Sequence, residues 1–184
     1  RFLTGNFQLF PSDKRIITLM LNRTTQYSQI PGSLTQDQVI ADPKQANATN
    51  LDKAAGRYQN WTRVGLGQKY LFNDQFSNTT SVFTYFYDLN HPLPYAYIRN
   101  IYQSYGGRTR FAYDPGFSVL PTKFTIGAEF NSGLTKGTQY VNNQGKEGAI
   151  NSNIDYRNTQ YSLFYQSETE LAPKTTLTLG ISYN

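Results

Sequence analysis

Residues Trp61 to Tyr87 read WTRVGLGQKYLFNDQFSNTTSVFTYFY. They form two long alternating runs around the polar turn Asn73-Asp74-Gln75. In the first run Val64, Leu66, Tyr70 and Phe72 share one parity, with Gln68 the exception, and Arg63, Gly65, Gly67 and Lys69 share the other. In the second run Phe83, Tyr85 and Tyr87 alternate with Thr80, Val82 and Thr84. Side chains alternate across a strand, so the spacing predicts two β-strands with one apolar, aromatic face and one face that is polar, charged or small. Phe83, Tyr85 and Tyr87 are assigned to the aromatic face. Soluble strands average about five or six residues, and these runs are much longer. Length, alternation and aromatic content together are the pattern of a membrane β-barrel wall.

The same pattern recurs on both sides. Phe2 to Phe10 ends in the turn Pro11-Ser12-Asp13-Lys14, and Arg15 to Tyr27 sets Ile17, Leu19 and Leu21 against Ile16, Thr18, Met20 and Asn22. Tyr102 to Tyr113 puts Tyr105, Thr109, Phe111 and Tyr113 opposite Ser104, Gly106, Arg108 and Arg110. Lys123 to Phe130 sets Phe124, Ile126, Ala128 and Phe130 against Thr125, Gly127, Glu129 and Asn131. Arg157 to Leu171 and Thr176 to Tyr183 complete the series. Their apolar phases are Tyr161, Leu163, Tyr165 and Leu171, then Leu177, Leu179, Ile181 and Tyr183.

The connections alternate in length. Short turns are expected after strands one, three, five and seven, at Pro11–Lys14, Asn73–Gln75, Asp114–Pro121 and Ala172–Lys174. Long loops are expected after strands two, four and six, at Ser28–Gly56, Leu89–Ile101 and Asn131–Asp155, the first part of the last also being readable as a continuation of its strand. Within the first loop, Thr35 is placed to cap a helical turn over Gln36–Ala41. Membrane barrels carry short turns on the periplasmic side and longer loops outside. The expected fold class is therefore all-β, an antiparallel up-and-down transmembrane barrel wall. Gly65, Gly67, Gly106, Gly127 and Gly133 on the inner face leave room for something within the barrel. The chain lacks a terminal Phe or Trp, so it reads as an internal fragment supplying eight strands of a larger barrel.

Composition narrows the chemistry. No apolar run reaches the roughly 18 residues of a membrane helix. The net charge of +5 comes from scattered basic residues, which argues against nucleic-acid binding. The chain has no Cys and a single His, His91, so thiol nucleophiles and His-pair metal sites are excluded. Gly65-Leu66-Gly67 lacks the third glycine of a nucleotide fingerprint and lies within a strand. Neither catalysis nor a cofactor is expected.

The segment Ile30-Pro31-Gly32-Ser33-Leu34-Thr35-Gln36-Asp37-Gln38, followed by Ala41-Asp42-Pro43-Lys44-Gln45-Ala46-Asn47, resembles an external loop of TonB-dependent outer-membrane receptors. It is most similar to their ferric-citrate-receptor-like branch, and Arg57 to Gly67 continues the likeness into the wall. The resemblance implies a receptor of the bacterial outer membrane that binds a ferric chelate, siderophore or similar nutrient. It implies surrounding lipid and a partnership with the TonB–ExbB–ExbD system through a plug domain, for which these residues hold no counterpart. An anionic chelate would be bound by guanidinium forks. The candidates are Arg63, Arg108 and Arg110 facing the lumen, and Arg57, Arg99, Lys136 and Arg157 on external loops. Arg63, Arg108 and Arg110 could instead pair with plug acids or with Glu129 and Glu168. Tyr95 and Tyr97 are candidates to line the vestibule, and Tyr102 is assigned to the interfacial aromatic girdle. Two other readings stay open: a complete eight-stranded barrel with a structural or adhesive role, and a soluble β-sandwich that binds carbohydrate.

Overall fold

The computed structural model describes residues 1–184. Eight strands follow one another: β1 (Phe2–Ser12), β2 (Arg15–Gln29), β3 (Gly56–Leu71), β4 (Phe76–Leu93), β5 (Ala96–Tyr113), β6 (Thr122–Asn143), β7 (Lys146–Ala172) and β8 (Thr175–Tyr183). Two short helices, α1 (Gln36–Ala41) and α2 (Ala48–Asp52), interrupt the connection from β2 to β3. Each strand pairs antiparallel with the next, in one sheet ordered β1 to β8. A sandwich needs two sheets, and there is one. β1 does not pair with β8, so the eight strands do not close on themselves.

The short turns lie where their residues place them. Asn73 Oδ1 accepts from the amides of Gln75 and Phe76 at 2.9 and 2.8 Å, closing the β3–β4 turn. Lys174 takes φ 70° after Pro173, and the two residues link β7 to β8. At the other end of the sheet only one long connection exists. The expected loop over Leu89–Ile101 is instead strand on both sides of a two-residue turn, Pro94-Tyr95. The β3 partners of β4 stop at Asn90, so Pro92 has a neighbouring strand on one side only and its missing N–H costs nothing there. The expected loop over Asn131–Asp155 is the continuation of β6 and β7 around Gln144-Gly145. Both turn residues have positive φ, 51° and 80°, which matches hairpin twist. This stretch lacks alternation because neither of its faces is apolar.

Directly paired residues of an antiparallel sheet share a face. Arg63, Gly65, Gly67 and Lys69 pair with Tyr85, Phe83, Ser81 and Thr79, and these with Ser104, Gly106, Arg108 and Arg110. The series continues through Gly133, Asn131, Glu129 and Gly127. Phe83, Tyr85 and Tyr87 therefore lie on the polar face, opposite to their expected placement. Parity within β4 was readable, but its phase against β3 is set by the turn (Leu71 opposite Ser77). The other face carries Leu19, Leu21, Val64, Leu66, Val82, Phe130, Tyr161 and Leu163, as expected for β2, β3, β6 and β7.

The apolar face has a slope. Through the register Leu19 of β2 is level with Leu66, Val82, Gly107, Phe130 and Tyr161. Leu179, in the apolar run of β8, is level with Ser167, six residues beyond Tyr161 along β7. The ends of that run give offsets of two residues at Tyr183, level with Leu163, and eight at Leu177, level with Thr169, so at about 3.3 Å per residue and about 4.8 Å per strand the apolar phase crosses the ladder at roughly 13–43°. A band that is horizontal in space thus requires tilted strands. Barrel walls tilt by about 35–45°.

Three glycines of the polar face lie beneath aromatic rings. A Cβ on Gly106 would approach Phe83 Cζ to 2.7 Å, and one on Gly133 would approach the Tyr102 hydroxyl to 2.7 Å. One on Gly127 would collide with the Phe164 ring and sit 2.6 Å from the Thr109 carbonyl oxygen. The space these glycines leave is filled by the wall's own side chains. Gly65 and Gly67 remain open, with nothing closer than 3.8 Å. Gly127→Ala should therefore lower stability by about 1–3 kcal/mol, whereas Gly67→Ala should shift it by less than about 0.5 kcal/mol. Urea midpoints of the two variants in detergent micelles, compared with wild type, check the contrast.

Candidate ligand-binding face

The polar face carries its charges in a staggered series. Arg63 stacks its guanidinium over the Tyr85 ring, 5.2 Å from the centroid. Met20, Gly65, Phe83, Tyr102 and Ser104 complete a recess of about 450 Å³ around it. Tyr102 thus belongs to this recess and not to a girdle on the opposite face. Arg108 lies 3.7 Å from Glu129 and over the Phe164 ring at 5.0 Å. Both members of that pair are about half exposed, so it is worth at most about 1 kcal/mol. Arg110 lines a polar well of about 390 Å³ at the short-turn end, with Lys69, Lys123, Asp74, Asp114 and Glu168.

These arginines do not converge on one point. Arg108 and Arg110 share a strand face, whereas Arg63 lies two strands away and level with Ser104, four residues from Arg108. Strand geometry puts that separation at roughly 16 Å. The face offers a ladder of donors from the short-turn end upward. Arg57 extends it at the start of β3, exposed and paired in register with Ser28.

The remaining candidates sit elsewhere. Arg57, Arg99, Lys136 and Arg157 are all strand residues, not loop residues. Arg99 and Tyr97 lie on the face opposite Arg63, and Arg99 Nη1 donates to Glu147 Oε1 at 3.1 Å. Tyr95 is the exposed tip of the β4–β5 hairpin. Tyr97 and Tyr58 lie beyond the apolar band, at the long-loop end. Burial first, and then the Glu147 carboxylate, pushes the Tyr97 phenol up. Tyr58 stacks on Tyr27 with centroids 4.3 Å apart. Its phenol is pushed up to about 12, by the hydrogen bond to Tyr27 first and burial second.

At this end the long connection is tied to all the hairpins beside it. The Nδ2 of Asn142 donates to the carbonyls of Lys53 and Leu93, both at 2.8 Å. Its Oδ1 accepts from the Gly145 amide at 2.7 Å. The residue is 5% exposed. His91 Nδ1 lies 2.7 Å from the Gly56 carbonyl oxygen, which can only accept, so that nitrogen carries the proton. The lone histidine thus closes the base of the loop. Thr35 caps α1 as expected, in a reciprocal capping box with Gln38. Nothing in the sequence around Asn142 marked it, since its three partners come from three separate connections.

The fold and its two faces define a class, the up-and-down wall of a β-barrel. Comparison with solved structures agrees. The chain is similar to the ferric citrate transporter FecA in its unliganded crystal form, with a TM-score of 0.81 at 12% sequence identity. The match covers 98% of this chain and 28% of that one, so the chain spans little more than a quarter of the transporter's length. At this identity the likeness is one of fold. No protein-family model matches the chain, and no curated protein matches it.

The tether makes a specific demand. Removing the Asn142 amide takes one donor from each of two part-buried carbonyls, at about 1 kcal/mol each. Asn142→Ala should speed amide hydrogen exchange over residues 30–55 by roughly tenfold or more, with exchange in β2 and β3 unchanged. Uniform exchange in both proteins would show that the connection is held by something else.

Proposed function

We propose that residues 1–184 are part of the barrel domain of a TonB-dependent receptor in the bacterial outer membrane. The receptor takes up a ferric chelate, siderophore or similar nutrient. The observation that carries this reading is the sloped apolar band, which strands inclined across a bilayer would level. The likeness to a quarter-length segment of a ferric citrate transporter supports the same assignment. So do the two free sheet edges, because a wall in hydrocarbon must be paired on both sides. Toward the short-turn end the apolar face carries an aromatic chain from Tyr70 through Phe72 and Phe76 to Phe111 and Tyr113, with neighbouring centroids 4.9 to 6.5 Å apart. Such rings belong at a membrane border.

On this reading the polar face lines the lumen. Arg63, Arg108 and Arg110 present guanidinium forks to an anionic chelate or to acids of a plug domain, and Arg57 extends the series toward the outside. Arg99, Tyr97 and Tyr95 stand at the outer rim. Transport is driven by the TonB–ExbB–ExbD system through that plug, and the wall performs no catalysis.

Two experiments test the proposal. Spin labels on cysteines at Leu19, Phe130 and Leu179 of the full-length protein in bilayers should be accessible to oxygen and shielded from a water-soluble nickel chelate. Labels at Ser81 and Ser162 should show less oxygen exposure. Equal accessibility on the two faces would reject the wall assignment. In cells carrying the Arg63→Ala, Arg108→Ala double variant, uptake of a ferric carboxylate chelate should fall about tenfold or more, the scale of one lost charged hydrogen bond. Unchanged uptake would remove these arginines from the ligand path, and uptake that survives collapse of the inner-membrane potential would reject energy coupling.

A further inference from the structure

The recess at Arg63 differs in chemistry from the rest of the polar face. Its walls are Phe83, Tyr85, Tyr102 and Met20, its floor is Gly65, and Arg63 is its one cation. Register sets Met20, Gly65 and Phe83 in one row, and Arg63, Tyr85 and Ser104 in a row nearer the long-loop end. Two of the aromatic walls are seated on glycine. Phe83 fills the space over Gly106 and Tyr102 the space over Gly133, each with an atom 2.7 Å from where a Cβ would stand. Tyr85 has Tyr102 and Tyr87 beside it, with centroids 5.6 and 6.3 Å away. The floor, by contrast, is open, since a Cβ on Gly65 would meet nothing closer than 3.8 Å.

The single cation is presented in a particular way. Arg63 is exposed and in no ion pair, and its guanidinium lies over the Tyr85 ring. A guanidinium stacked by its face keeps its N–H donors in its own plane, where they can fork onto an anion. The well at Arg110 is the opposite case. There Lys69, Arg110 and Lys123 stand beside Asp74, Asp114 and Glu168, and no ring is stacked on any of the three cations. A flexible polycarboxylate needs donors on several sides, whereas the recess at Arg63 offers one fork among apolar walls.

We infer that this recess holds a planar aryl group with an anionic oxygen substituent. The ring lies over Gly65 among Phe83, Tyr85 and Tyr102, and the anion meets the Arg63 fork. The nutrient is then an aryl chelate, built on an aryl carboxylate or catecholate, and not an aliphatic carboxylate complex. The inference rests on the reading of the polar face as the lumen of a receptor. A recess of about 450 Å³ lies within the range of small-molecule sites, about 300–1,000 Å³, which combine apolar and aromatic walls with a few polar groups. Offset and edge-on ring contacts favour an aryl group over an aliphatic one of equal size, and the Met20 thioether adds a polarisable contact.

The test measures binding of ferric 2,3-dihydroxybenzoate and of ferric citrate to the full-length protein in a nonionic detergent, by isothermal titration calorimetry. The aryl complex should bind about tenfold more tightly than the citrate complex. Gly65→Leu, which fills the floor and leaves Arg63 in place, should weaken the aryl complex about tenfold and change citrate binding by less than about twofold. Gly67→Leu, on the same face but outside the recess, should change neither. Citrate bound as tightly as the aryl complex, or aryl affinity unchanged by Gly65→Leu, overturns the inference and leaves the receptor reading in place. Binding of neither complex does the same. Uptake in cells that does not need the inner-membrane potential overturns the receptor reading, and the inference with it.

Discussion

The backbone ladder running without interruption from β1 to β8 is the constraint on which everything else in this chain depends. Of its 126 backbone hydrogen bonds, 111 lie within helices and strands, and nearly all of those are rungs between neighbouring strands. There is almost no enclosed core. The buried apolar side chains are Ala55, Leu89, Pro92 and Ala96, and all four lie at or near the long-loop end. A soluble domain of this size would bury far more of its apolar surface. Here the ladder fixes the register, the register assigns each side chain to a face, and the two faces then meet different surroundings.

That logic explains the pairing of glycine with aromatic residues on the polar face. A barrel-like wall has to curve and to carry bulky rings without overcrowding. Phe83 over Gly106, Phe164 over Gly127 and Tyr102 over Gly133 meet both needs, because each ring reaches over a position of the neighbouring strand that has no side chain to oppose it. The rings in turn support charges, as Tyr85 does for Arg63 and Phe164 for Arg108. Of the glycines that make the sequence look permissive, Gly106, Gly127 and Gly133 have no room for a side chain, whereas Gly65 and Gly67 do.

Much of this was legible from alternation alone. Strand positions near the band, the direction of the apolar phase in β2, β3, β5, β6, β7 and β8, and the helical turn capped by Thr35 all follow from local spacing. What failed to show has physical reasons. The phase of β4 depends on how the chain turns over residues 72–75, and a one-residue change there would send Phe83, Tyr85 and Tyr87 to the other face. The outer halves of β6 and β7 are polar on both sides, so period two vanishes although the strands persist. Pro92 reads as a loop residue until the partner strand is seen to stop at Asn90. Of the candidate site, Arg63, Arg108 and Arg110 were placed correctly on the polar face. Arg99 and Tyr97 fell on the other, and Asn142 escaped notice because its partners are brought together only by the fold.

The central claim is that the apolar band is level with a bilayer and that the strands are therefore inclined within it. Polarised infrared spectroscopy of the full-length protein in oriented bilayers measures that inclination directly from the amide I dichroism. The account predicts a mean strand tilt of roughly 35–45° from the membrane normal. Strands lying nearly parallel to the bilayer plane, or without preferred orientation, would contradict it.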